Sequence, residues 1–192
     1  MLQNTRMNLK PTPVILAVIL AVLAGCGSSA TTTTNPDGFN TTPGQSVVAA
    51  GITTVTFSSL GGGFHGVPPS GAACDPAQWT YNIGLEYRTL QAKTCKVTGD
   101  AADPASYFLD DEPFTLPDAQ WTSIDAAVAG VKVSGKTNCG ADADHRELTV
   151  VSADGSLTYG DDFYACQATY QHFVTFDSLS NLEQVLEGIV QP

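Results

Sequence analysis

Apolar residues recur at regular intervals along most of this chain, and the interval changes from segment to segment. Trp79, Tyr81, Ile83, Leu85 and Tyr87 alternate with Thr80, Asn82, Gly84, Glu86 and Arg88. That period of two predicts a strand with one apolar face, either continuous or folded back near Gly84. A further strand takes in Leu90 and ends near Cys95, Lys96 and Val97. The β-branched run Ile52-Thr53-Thr54-Val55-Thr56-Phe57 predicts an earlier one. Later the period lengthens. Trp121, Ile124, Val128 and Val131 stand at helical spacing, with Pro117 in the first turn, Thr115 and Asp118 at the separation of a capping box, and Gly130 near the end. Leu179, Leu182, Leu186 and Ile189 repeat that spacing in a second helix, capped by Asp177. Between the helices, Leu148 and Val150 and then Leu157 and Tyr159 flank Asp154-Gly155, a favoured hairpin turn. Such a turn pairs Val150 with Tyr159 and sets all four apolar residues on one face. Asp161 to Tyr164 then continue the second strand toward Cys166.

Two stretches break the pattern. Residues 61–69 (GGGFHGVPP) read as a connector with His65 solvated, and residues 99–113 read as a loop carrying Asp100, Asp103, Asp110, Asp111 and Glu112. These carboxylates lack the close, ordered spacing and central glycine of a calcium loop. The elements add up to an α+β domain: a small antiparallel sheet with two amphipathic helices packed on its one apolar face. The order strand pair, Cys, helix occurs twice, which suggests a ββα duplication, although side-chain identity between the halves is poor.

The N-terminus has a different pattern. Residues 14–23 (VILAVILAVL) hold no polar side chain, and the only charges before them are Arg6 and Lys10. A spanning helix needs ~20 apolar residues, so this run has the length of a signal-peptide core instead. Directly after it, Leu23-Ala24-Gly25-Cys26 resembles the lipobox of bacterial lipoproteins at every position. The resemblance implies a diacylglyceryl group on the Cys26 thiol, cleavage before Cys26 and acylation of the new amino group by a fatty acid such as palmitate. It also implies a membrane reached through lipid alone. Gly27 and Ser28 follow, not the Asp that holds many enterobacterial lipoproteins on the inner membrane, so an outer-membrane address is implied for a Gram-negative source. Met7 could equally begin the signal. The expected organisation is a signal peptide over residues 1–25, a lipidated Cys26 with a Thr/Ser/Pro/Gly-rich tether over 26–50, and one domain over 51–192. As a coil, that tether averages ~25–30 Å end to end.

Charge narrows the partners. The chain has 8 basic and 19 acidic residues, a net −11. Cleavage before Cys26 removes Arg6 and Lys10 and no acid, leaving −13. Nucleic-acid binding needs clustered Lys and Arg to displace counterions from phosphate, which excludes that class.

Four cysteines remain beyond Cys26: Cys74, Cys95, Cys139 and Cys166. An even number in an exported domain reads as disulfides, with three connectivities open. Zinc sites favour close pairs, whereas the nearest two here have 20 residues between them. Sequential pairing, Cys74–Cys95 and Cys139–Cys166, brackets one hairpin-like segment each and is the favoured arrangement.

No catalytic constellation emerges. His65, His145 and His172 are far apart in sequence and sit in no H-E-x-x-H motif, and there is no Gly-x-Ser-x-Gly. Asp142-Ala143-Asp144-His145, the densest polar cluster, reads as a surface loop. Asp161 and Asp162, as strand neighbours, would point to opposite faces. The expectation is therefore a cell-envelope module without enzymatic activity, catalytic residue, metal or cofactor, which meets an envelope protein partner of unknown identity. The alternative is a ligand-binding protein, or an inhibitor of secreted enzymes that presents residues 61–69.

Overall fold

The computed structural model describes residues 38–62, 66–135, 138, 140, 144–164 and 170–190. The signal, the lipobox with Cys26, His65, Cys139 and Cys166 all lie outside that set. In chain order the elements are β1 (Ile52–Gly62), β2 (Gln78–Gly84), β3 (Thr89–Val97), β4 (Tyr107–Phe114), α1 (Asp118–Gly130), β5 (Asp144–Ser152), β6 (Gly155–Asp161), β7 (Phe173–Val174) and α2 (Phe176–Val190). The strands make one sheet in the order β4-β3-β2-β1-β5-β6-β7. Every neighbouring pair is antiparallel except β6–β7.

The α+β architecture stands, although seven strands among the described residues make a larger sheet than expected. Alternation explains its faces. Directly paired residues share a face, and the register sets Leu90, Ile83, Val55, Val150 and Leu157 in one row across β3, β2, β1, β5 and β6. Ala92, Tyr81, Phe57, Leu148 and Tyr159 form the next. These rows join one buried cluster with Trp121, Ile124 and Val128 of α1 and Leu179, Leu182 and Leu186 of α2. Each fully buried Leu or Ile stabilises the fold by ~1.5–3 kcal/mol relative to exposure. The helical spacing thus identified the core faces correctly, and the strand alternation did so through Ile83. β2 stops at Gly84 and folds back, which leaves Tyr87 on the turn, 78% exposed.

Several expectations need correction. Residues 107–113, read as loop, belong to β4; Pro113 and three acids suit an edge strand, whose outer side faces water. Gly61 and Gly62 are not loop either, but the irregular end of β1, where the register with β5 shifts after Ser59. The β5–β6 hairpin turns one residue earlier than Asp154-Gly155. Ser152 pairs with Gly155, so Val150 meets Leu157 and Leu148 meets Tyr159. A shift applied to both arms keeps the same four residues inward. No capping box forms at α1, because the helix starts at Asp118 with Pro117 as its cap residue and Thr115 outside it. At α2 the Thr175 carbonyl accepts from the Ser178 and Leu179 amides, and Asp177 falls inside the first turn. The suggested duplication is not the topology found: four meandering strands precede α1, whereas a hairpin and a two-residue parallel strand precede α2.

The domain also starts earlier than residue 51. Phe39 and Val47 are buried in the core. The Gly44 amide donates to Val133 O at 2.8 Å, the Val47 amide to Val131 O at 3.1 Å, and the Tyr159 hydroxyl to Asn40 O at 2.6 Å. Residues 38–50 belong to the fold and not to the tether expected over 26–50.

Candidate functional site

Helices cover one face of the sheet; the other carries rows of polar side chains. The register places Thr158, Thr149, Thr56, Asn82 and Gln91 side by side across β6, β5, β1, β2 and β3. Two of their bonds run along the row and a third crosses to the next. The Thr149 and Thr158 hydroxyls are 2.8 Å apart, the Thr56 hydroxyl donates to Asn82 Oδ1 at 3.0 Å, and the Gln91 amide donates to Asp111 Oδ1 at 2.8 Å. In the next row stand Glu147, Ser58, Thr80, Lys93 and Asp111, with the Lys93 ammonium 3.7 Å from Asp111 Oδ2. Gly160 ends this row beside Glu147, and a Cβ there would lie 2.3 Å from the Tyr170 ring, so only glycine admits that ring. The Tyr170 hydroxyl donates to Glu147 Oε2; burial, and then this carboxylate, push its pKa up.

At the β2–β3 end of this face lies a groove of about 360 Å³, lined by Leu60, Cys74, Gln78, Thr80, Lys93 and Leu109 among others. The Cys74–Cys95 disulfide borders it, with Cα atoms 5.6 Å apart. The pairing expected for these two cysteines is the one formed. The bond pins the segment before β2 onto β3, and the buried Ser59 hydroxyl ties the same segment to β1 by donating to Ala77 O at 2.8 Å.

On the helix side, charge is buried. Arg146 on β5 and Asp161 at the end of β6 point inward, 3% and 0% exposed. Arg146 donates to Asp161 Oδ2 from Nε at 3.0 Å and from Nη2 at 2.7 Å, to Glu183 Oε2 from Nη1 at 2.7 Å, and to Ser180 Oγ at 3.1 Å. Its guanidinium carbon sits 4.5 Å above the Phe176 ring. Burial pushes the Asp161 carboxyl above its usual range, against the opposing pull of the Phe163 amide and Arg146. Asp162 turns elsewhere: it accepts from the Ser134 hydroxyl at 2.6 Å and from the Phe176 amide at 2.9 Å, at the start of α2. The neighbouring aspartates therefore hold different parts of the molecule. Both act on the seating of α2, and the cluster is a fastening.

The other polar candidates scatter. His145 on β5 packs edge-on to Tyr170 at 5.8 Å, and His172 lies 6.3 Å from the Tyr159 ring. Asp144 opens β5, so the Asp142–His145 cluster is partly strand, with Asp142 outside the described residues. Asp100 and Asp103 accept from the Ala102 and Ala105 amides two residues on, and Asp110 to Glu112 lie on β4. Among the described residues no three His, Cys, Asp or Glu side chains gather as metal ligands, and no helix is long and apolar enough to cross a membrane.

Sequence reasoning missed the Arg146–Asp161–Glu183 cluster, although a signal was present. Arg146 has the parity of Leu148 and Val150, and Asp161 that of Leu157 and Tyr159, which marks two opposite charges on the inward face. No family model, no curated protein and no solved structure matches this chain.

Proposed function

We propose that this chain is a lipid-anchored cell-envelope module that acts by binding another envelope protein, without catalysis. The observation that supports this reading best is the lopsided sheet. One face is buried under two helices, while the other carries rows of largely half-buried hydroxyl and amide groups with a groove at one end. Those hydroxyls bond to one another, an arrangement suited to a wettable recognition surface. The anchor is the acylated Cys26, and the address is the outer membrane in a Gram-negative cell. Cross-linking on intact membranes, followed by recovery of the full-length protein, should yield a discrete envelope partner. Recovery of none across several growth conditions would overturn the reading.

The groove beside the disulfide supports a second reading, a small-ligand-binding protein. In that case Leu60→Asp together with Lys93→Glu should abolish ligand protection of the Trp79 fluorescence signal, and an unchanged signal would rule the groove out.

A further inference from the structure

The two ends of the sheet are finished differently. Next to β7, Val133 bridges Val174 and Ser46 bridges Lys132, so segments 44–47 and 131–133 take up the backbone groups on that side. At the other end β4 presents eight residues; the Tyr107 amide donates to Pro104 O in the turn before it, and beyond Tyr107, among the described residues, no backbone hydrogen bond reaches β4 from the side away from β3. An open edge of this kind pairs with any extended chain able to approach it.

Side chains decide which chains can approach. Asp110, Asp111 and Glu112 occupy the outermost strand, while the lysines that pair with the first two, Lys96 and Lys93, stand one strand inward on β3. An arriving strand therefore meets carboxylates before ammonium groups. A second copy of this chain would set three acids against the same three, and like charges directly opposite repel. A strand carrying Lys or Arg is attracted instead. Apolar contact is ready on both faces of such a strand. Phe108, on the helix side, is 40% exposed, and Leu109, which also walls the groove, is 51% exposed on the other. Pro113 has no N–H to offer and that of Tyr107 is taken by Pro104 O, so the usable edge runs from Phe108 to Glu112.

We infer that β4 is a docking edge for an extended, Lys- or Arg-bearing segment of a partner protein, which adds to the sheet as an eighth strand. This rests on the reading of the chain as a binding module and names its surface and the chemistry of its partner. The test uses the full-length protein in detergent and a short synthetic peptide alternating Lys with Val. Two controls accompany it: the same peptide with Glu for Lys, and the Lys peptide N-methylated along one pairing edge. Affinity is read by fluorescence anisotropy, and amide hydrogen exchange reads the site. The Lys peptide should slow exchange within Phe108–Glu112, weaken about tenfold or more on N-methylation, and weaken similarly against the Asp111→Lys, Glu112→Lys variant. Equal binding of the N-methylated peptide would reduce the effect to charge attraction and overturn strand addition. Equal binding of the Glu peptide, protection elsewhere, or self-association through β4 would overturn it as well. If the peptide fails while membrane cross-linking still captures a partner, the edge is wrong and the binding module stands.

Discussion

Arg146 makes its side-chain hydrogen bonds to groups on other elements, namely Asp161 at the end of β6 and Phe176, Ser180 and Glu183 on α2. Removing the guanidinium leaves a buried carboxylate without its counter-charge, which costs about 3–5 kcal/mol, whereas replacing both partners by apolar groups is often near neutral. Arg146→Met should therefore lower the urea midpoint sharply, and Arg146→Met with Asp161→Leu should recover most of the loss. A double variant as unstable as the single one would mean that the cluster does more than fasten α2. Two buried tyrosines give a second measurable consequence. Burial raises Tyr81 to about 12, helped by Glu187 and Glu183, and burial alone raises Tyr159 to about 12. The folded state thus holds these protons more tightly than the unfolded state, where phenols ionise near ~10. Their contribution, about 3 kcal/mol each, is complete below that pH and disappears as pH rises toward 12. An absorbance titration of the phenolates should show these two ionising late and together with unfolding; early, reversible ionisation of all tyrosines would contradict their burial.

Among the elements, the disulfide and α2 differ in how far their loss should spread. Cys74 and Cys95 are 21 residues apart, a closed loop that stabilises by about 3 kcal/mol in the chain-entropy model. Cys74→Ala with Cys95→Ala should lower stability by about that amount and speed hydrogen exchange chiefly in residues 66–77. Leu182→Ala, which opens a cavity at the heart of α2's buried face, should cost about 2–5 kcal/mol and loosen the whole sheet. Denaturant titration with exchange mapping separates the two. The elements that could be read from the residues alone are those with one wet and one dry side: β1, β2, β3, the β5–β6 hairpin and both helices, where a β-branched run, alternation or helical spacing marks the element directly. β4 escaped because both its faces and its outer edge meet solvent, so Tyr107-Phe108-Leu109-Asp110-Asp111-Glu112-Pro113-Phe114 shows no alternation. Residues 38–50 escaped for another reason. They are held by backbone bonds to residues 131–133 and by two anchors, Phe39 and Val47, and backbone bonding leaves no trace in side-chain pattern. The fastening around Arg146 joins residues 15 to 37 positions apart, a closeness that only the folded chain creates.

For the whole molecule, packing of residues 38–50 leaves fewer residues between the domain and the proposed anchor at Cys26. Between Cys26 and Gly38 lie residues 27–37, a span of at most ~40 Å even when fully drawn out. Cys26→Ser should move the protein from the detergent phase to the aqueous phase and remove the lipid mass, while its thermal midpoint stays that of the wild type. A wild type without lipid mass, or a variant that still partitions into detergent, would end the anchoring argument. The sheet order has a consequence in time as well as in space. β1 lies between β2, its neighbour in sequence, and β5, whose residues follow it by roughly ninety positions. A chain emerging N-terminus first can build the β1–β4 meander early, but it then holds β1's other edge and Val55 and Phe57 uncovered until β5 arrives, and the core closes only once α2 has followed. Such long-range pairing slows folding and lengthens the interval in which an open, apolar edge can aggregate. Under the proposed export, this protein calls for a holding chaperone on the far side of the membrane, and its yield should fall most steeply in cells that lack one.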